Sequence, residues 1–507
     1  MKKLTILLLI LTLLFQLTAC VTPDDTSAET AEKPIPDNIP PDLPARFAEF
    51  YDPEGDTPVE FIYVEGGSGT YVADSLEVDP DSGDLDDINI GVIERNNCVN
   101  ELLGAKVEAF TDETLGVDRL HVLAKIYFDS QDPTLDVYVG IQYYDLSVAT
   151  SGHLLNLDTL KACDDKPIID MEQEYWATEY IKEINPGGAT YFVTGDLAIP
   201  YLGGFYCTFI NEPLYEDFVQ EHYDDRSIED IIKSGDFTLQ TALDMANLVY
   251  DDTDKSETPT PADRLGIVFE PGYALDGFAY SCNLSFSKRT VDQSGKESVA
   301  FTLATDPNLS SLSSLLNTLT HSDAVYRCPD DQRGKTAMEI YAAGNTLMVF
   351  GTLLDSHRYL GDEKTINHIA PYPKLNKNQT AYYTAMDETV PIYGISRYSD
   401  CPRFAAATLE LMASQSAHLV ANPLYSKTIY GCRCSRHEIQ EEMIGLLRQS
   451  LTTDFVAAWS YSLDGVSHFL RDPDQYTAMS DYVKEHYPNV ETQLDQLTEK
   501  LENTVKK

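Results

Sequence analysis

The feature that most restricts this chain is an alternation. Val59-Glu60-Phe61-Ile62-Tyr63-Val64 reads as a strand, DINIGVIERNNCVNELLG (87–104) places Val92, Val99 and Leu103 on one helical face, and KVEAF (106–110) starts another strand. LHVLAKIYF (120–128) predicts a helix, LDVYVGIQYY (135–144) a buried strand, and residues 200–218 a strand running into a helix. Strands repeatedly separated by helices pair through crossovers, so the pattern predicts an α/β architecture with largely parallel sheets. At 507 residues the chain exceeds one ordinary core, and two to three domains are expected. With 43% apolar and 23% charged residues there is ample material to fill them.

One stretch does not fit a plain strand. LAIPYLGGFYCTFINEPLYEDF (197–218) runs apolar, stops at Pro200, loosens at Gly203 and Gly204, then resumes as an aromatic, β-branched run before an acidic helix start. It is either one core strand with a bulge or a chain crossing from one lobe to another.

Both ends are easier to read. Residues 1–19 carry Lys2 and Lys3, an apolar run and small residues ahead of Cys20, the pattern of an export signal. Leu17-Thr18-Ala19-Cys20 resembles the bacterial lipobox, which makes Cys20 the expected lipidation site and anchors the chain at the extracellular face of the cell membrane. Residues 21–45, rich in Pro and acidic side chains, predict a stalk. At the other end Val490, Leu494, Leu497, Leu501 and Val505 form the stripe of a closing amphipathic helix.

The formal charge of −46 excludes nucleic acid as a partner. Eight cysteines follow Cys20 without the spacing of a zinc site; their even number permits one or two disulfides in an exported chain. Gly66-Gly67-Ser68-Gly69-Thr70 fails the nucleophile-elbow pattern at its last position, and neither H-E-x-x-H nor a phosphate loop occurs. Asp251-Asp252-Thr253-Asp254 lacks the glycine and closing glutamate of a calcium loop and reads as a solvated loop. No catalytic group, metal or cofactor is expected.

What stands out is aromatic content: 31 Tyr, 19 Phe and 2 Trp, several at strand ends or turns. In α/β sheets ligands bind beyond the carboxyl ends of strands, where a polar-tipped ring can stack on a neutral ligand and a carboxylate can accept its hydroxyl protons. Tyr143, Tyr144, Asp145, Trp176, Tyr201, Glu270 and Tyr273 are the ligand-binding candidates on this reading, and Asp355, after the Phe350-Gly351-Thr352 turn, is added as an acceptor for the ligand. Trp459, in FVAAWSY, reads as core, and Tyr273→Ala is expected to weaken binding while leaving the melting temperature nearly unchanged.

With these segments in order, the chain resembles the extracellular solute-binding lipoproteins of ABC importers, of the carbohydrate-type class. The resemblance is carried by the lipobox, GDLDDINIGVIERNNCVNELLGAKVE (83–108), GDLAIPYLGGFYCTFINEPLYEDF (195–218) and the turn Gly235-Asp236-Phe237-Thr238. It continues in GKTAMEIYAAGNTLMVFG (334–351), IAPYPKLNKNQTAYYT (369–384) and FAAATLELMASQSAHLVANPLYSKTI (404–429). It implies a two-lobed type II periplasmic-binding fold closing on a ligand by hinge bending. Pro200–Gly204 would then be a hinge strand and TVPIYGISR (389–397) a second crossing. The first lobe would comprise residues 46–200 with about 390–425, and the second 201–389 with about 426–507. Two departures stand out: DDTDKSETPTPAD (251–263) replaces a calcium-like loop of relatives, and Tyr175-Trp176-Ala177 replaces a Trp-Trp-Asp.

The implied function is non-catalytic capture of a sugar or oligosaccharide, as a monomer, for an ABC permease. A ligand-presenting sensor, a peptide-binding protein and a surface glycoside hydrolase are the competing expectations.

Overall fold

A computed structural model describes residues 39–63, 71–83, 85–111, 120–185, 187–291, 297–360 and 365–505. The export signal, Cys20, most of the stalk and the Gly66–Thr70 segment lie outside the described residues. Strands β1 (Thr57–Tyr63), β2 (Ala105–Phe110), β3 (Leu135–Ile141), β4 (Tyr206–Asn211), β5 (Leu265–Phe269), β6 (Ser287–Val291), β7 (Glu297–Phe301), β8 (Val325–Arg327), β9 (Thr346–Thr352), β10 (Asn367–Ala370) and β11 (Pro391–Ile395) make two main sheets and one antiparallel pair.

The first sheet runs β2-β1-β3-β11, with β1 parallel to both neighbours and β11 antiparallel to β3. The second runs β8-β5-β9-β4-β10; β5 is parallel to β8 and β9, while β4 opposes both β9 and β10. The expectation of largely parallel sheets therefore holds around β1 and β5 and fails at β4, β10 and β11. Every residue of β3, β4, β5, β9 and β11 is buried, which is why these strands read as continuous apolar runs rather than alternating ones.

Helices cover the sheets. Helix Asp87–Leu103 starts at Asp86, whose carboxylate accepts from the amides of Ile88 and Asn89, and stops at Gly104 in the left-handed region at φ 82°. It buries Ile88, Val92, Val99 and Leu103, each worth roughly 1.5–3 kcal/mol, and packs on helix Pro402–Leu419. Arg95, fully buried on the same helix, donates to the carbonyls of Leu76 and Leu197 and to Ser416 Oγ, fastening the helix to the chain just before the Pro200 segment. Helix His437–Gln449 packs on β10, and the closing helix Val490–Val505 buries Val490, Leu494, Leu497 and Leu501.

Two connections between the sheets run side by side, and residues 450–452 run along one of them. Tyr206 N donates to Ala385 O (3.1 Å) and Asp387 N to Gly204 O (2.9 Å). Thr384 N donates to Ser450 O (2.9 Å), and Thr452 N returns a bond to Thr384 O (2.8 Å). One expectation fails here: Pro200–Gly204 is not a strand. Ile199–Gly203 form a helical turn with Pro200 in its first turn, where the fixed φ and missing N–H of proline are harmless.

Candidate functional site

In each main sheet the order of strands reverses direction at one point: between β1 and β3 in the first, and between β5 and β9 in the second. Open α/β sheets bind ligands in the crevice beyond the carboxyl ends of strands at such a switch point. In the second sheet that place is a cavity of about 630 Å³, within the ~300–1,000 Å³ range of small-molecule sites. Tyr273, after β5, and Thr352, Leu354 and Asp355, at the end of β9, line it together with Asp331–Arg333, Arg358 and Tyr359. Pro200, Gly204, Asp387 and Thr389 close it from the connecting segments.

The wall is built before any ligand arrives. Asp355 caps the helix after β9: its Oδ2 accepts from Thr352 N (2.7 Å) and Thr352 Oγ1 (3.0 Å), and from the Tyr273 hydroxyl (2.8 Å). Burial raises the pKa of Asp355 and drives that of Tyr273 far above the usual phenol value. Arg358 approaches Asp355 Oδ1 at 3.4 Å and lies over the Tyr71 ring. Arg333 sits above the Tyr273 ring, and the Asp387 carboxylate, 3.6 Å from its Nη2, raises its pKa further. Asp387 itself accepts from the amide and hydroxyl of Thr389.

Glu270 is not on the cavity surface. It is buried beneath, and its two oxygens accept four backbone N–H groups: Gln332 (2.7 Å), Gly334 (2.7 Å), Thr336 (2.6 Å) and Ala337 (3.1 Å). That carboxylate shapes the loop that carries Arg333. Gly334 follows in the left-handed region at φ 79°, and a Cβ there would stand 2.3 Å from the Tyr273 hydroxyl oxygen.

Of the eight residues expected to meet a ligand, Tyr273 and Asp355 line this cavity. Tyr201 is buried next to it, edge-on to Phe205 with centroids 5.8 Å apart. Asp145 is fully buried; its Oδ2 accepts from Ile141 N (2.8 Å), and burial pushes its pKa to about 7. Trp176 is turned away, donating from Nε1 to Glu410 Oε2 (2.8 Å), where Tyr175 and Arg46 also bind. Asp145, Glu270 and Trp176 thus hold the fold, correcting the expectation that they face a ligand. Tyr273 is 4% exposed, so its removal to Ala would also leave a hole among the side chains packed around it, and a lowered melting temperature is expected in place of an unchanged one.

Tyr143 and Tyr144 belong to a different cluster. Tyr143 stacks on His468 (centroids 4.7 Å), and both tyrosines meet Tyr461 edge-on. His468 Nε2 and Glu388 Oε2 are 2.5 Å apart, and Arg471 bridges Glu388 Oε1 (3.0 Å) and Asp276 Oδ2 (2.5 Å). The chain after β3, the connecting segment before β11 and helix Tyr273–Ser281 are tied together through the C-terminal region. The ligand atoms of Asp276, Glu388 and His468 come close enough for a metal, but the Arg471 guanidinium already supplies the positive charge between them. Asp252, Asp254 and Asp263 also converge, yet their oxygens accept from amides or hydroxyls of their own loop, in agreement with a loop that ties itself. Trp459 is core, its Nε1 donating to Ile184 O (3.1 Å), and the eight cysteines after Cys20 are thiols.

No family model matches the chain, and no curated protein matches it in sequence. Solved structures do match. The galacto-N-biose/lacto-N-biose I-binding protein of an ABC transporter from Bifidobacterium longum, solved with lacto-N-biose, is 12% identical; the match covers 89% of this chain and 98% of that one, with a TM-score of 0.54. A cyclo/maltodextrin-binding protein solved with maltotetraose is 11% identical, with 90% and 99% covered and a TM-score of 0.50. The chain has the α/β fold of the solute-binding proteins of ABC transporters.

Proposed function

We propose that this chain is a non-catalytic solute-binding protein that captures a sugar or short oligosaccharide in the cavity at the β5/β9 switch point and delivers it to an ABC permease. The observation that carries this reading is the position of the cavity. It lies where two crossing segments run between the sheets, so a ligand there is enclosed when the sheets close about those segments and released when they part. On this reading one lobe comprises residues 46–200 with 390–425, the other 201–389 with 426–507, and lipid on Cys20 holds the chain at the outer face of the membrane.

The test is thermal unfolding of the purified protein against monosaccharides, oligosaccharides, amino acids and peptides. A ligand bound only by the folded state adds about 2.7 kcal/mol at a hundredfold excess over its dissociation constant. A shift with sugar and no product on chromatography is expected; a shift with peptides alone, or turnover of the sugar, overturns the reading. Incorporation of a labelled fatty acid that disappears in Cys20→Ser tests the anchor.

A further inference from the structure

Resting on the cavity as the capture site, we propose that a second sugar subsite adjoins it across Asp387 and Glu388, so that the ligand is an oligosaccharide of at least two units held from both sheets. The first cavity alone does not explain closure. Its lining comes from the second sheet, the loop carrying Arg333 and the crossing segments; among the described residues, none lies in or directly after a strand of the first sheet. A ligand favours the closed state only through contacts that this state alone makes, and those have to come from both sides.

A second, smaller cavity has both sides. Gln142 and Tyr143, which follow β3 of the first sheet, line it together with Tyr206 at the start of β4 and with Asp276 and Tyr280 on helix Tyr273–Ser281. Met386 and Glu388 of the crossing segment complete it. The wall between the two cavities is thin. Asp387 lines the first and Glu388, the next residue, lines the second; Tyr273 lines the first, and its ring centroid is 6.2 Å from that of Tyr206, which lines the second. Burial drives the pKa of Tyr206 well above the usual phenol value, and the carboxylates of Asp387, Asp276 and Glu388 push it the same way, so its hydroxyl sits among the charges of both cavities.

The second cavity presents hydroxyls. The charged groups beside it are tied to one another: both oxygens of Asp276 accept from Arg471, and Glu388 meets Arg471 with one oxygen and His468 with the other. The Tyr180 hydroxyl donates to Gln142 Oε1 (2.9 Å), and that of Tyr143 meets His468 Nδ1 (3.3 Å). Tyr206 and Tyr280 differ. Their rings are packed, Tyr206 on Tyr372 and Tyr280 on Phe286 with centroids 5.7 and 5.8 Å apart, yet neither hydroxyl has a hydrogen-bond partner among the described residues. Tyr206 is 3% exposed, and a tyrosine hydroxyl so deep ordinarily finds a partner. Two uncharged groups that both donate and accept, set among aromatic rings, suit the hydroxyls of a neutral sugar. At about 20 Å³ the cavity has room for little more than one water, so a sugar unit enters as the sheets part, the motion that capture itself requires.

The test uses the purified full chain and a length series: galactose, glucose, xylose and N-acetylglucosamine, each against its dimer. Titration calorimetry is expected to show at least tenfold tighter binding of the dimer for one of these sugars. Tyr206→Phe and Tyr280→Phe in one chain should weaken that dimer at least tenfold and leave the monomer's affinity unchanged. The melting point of the unliganded protein should stay where it is, because neither hydroxyl has a partner to lose. Equal affinity for monomer and dimer, or a double variant that binds the dimer as the parent does, overturns the second subsite and leaves sugar capture intact. Binding of no member of the series overturns the subsite together with the capture reading on which it rests.

Discussion

Glu270→Gln separates a ligand contact from a residue that builds the site. The substitution keeps the shape and one carbonyl oxygen, and turns the other oxygen into an amide NH₂. In the native protein each oxygen receives two N–H groups: Gln332 and Gly334 on Oε2, Thr336 and Ala337 on Oε1. Whichever way the glutamine side chain turns, two N–H groups then face a donor. One of each pair, Gly334 or Ala337, is buried, and the other is partly solvated. A buried donor left unsatisfied costs about 1–3 kcal/mol, and losing the charge weakens the bonds that remain, so the expected loss is about 2–4 kcal/mol. Urea unfolding measures the total, and hydrogen exchange at the amides of Gln332, Gly334, Thr336 and Ala337 shows whether the loss is local to this loop. A side chain held chiefly as a ligand contact would leave both unchanged in the unliganded protein. Unfolding and exchange identical to the parent would therefore refute the reasoning, whatever happens to affinity.

Three further predictions use residues away from the cavity. Burial raises Asp145 to a pKa of about 7, so the folded state holds a proton between pH 4 and 7 that the unfolded chain has released. Stability is lost as pH rises through that window, by on the order of 4 kcal/mol at about 1.4 kcal/mol per unit. Asp145→Asn keeps an acceptor for Ile141 N and removes this slope, so melting curves of parent and variant should coincide near pH 4 and favour the variant at pH 8. Arg471→Met should cost about 3–5 kcal/mol by leaving the buried Asp276 carboxylate without its partner; adding Asp276→Asn should recover much of that in a double-mutant cycle read by urea unfolding. Trp176→Phe removes the donor to Glu410 and should cost about 1–3 kcal/mol, with calorimetry showing unchanged ligand affinity.

The strand at 135–141 was legible because it is buried on both faces, which makes it a nearly continuous apolar run; Phe350-Gly351-Thr352 read as a turn, and it is the end of strand β9. The segment at 389–397 was legible too, and its core is β11 beside β3. The turn at Pro200 was not, because a fixed φ suits the first turn of a helix as well as the edge of a strand, and the two glycines beyond it suit either. The carboxylates misled for a general reason. A strand that ends at a crevice leaves amides there with no ladder partner, and the nearest carboxylate is the cheapest acceptor for them. Asp145 serves Ile141, Asp355 serves Thr352, and Glu270 serves a loop more than sixty residues away. Only Asp355 carried a warning, since Thr352-Leu353-Leu354-Asp355 has capping-box spacing. Arg333 and Arg358 carry no periodicity, and only the folded loop brings the first beside the second. Acidic residues in so negative a chain are too many to mark a site, and the fold claims those nearest the strand ends.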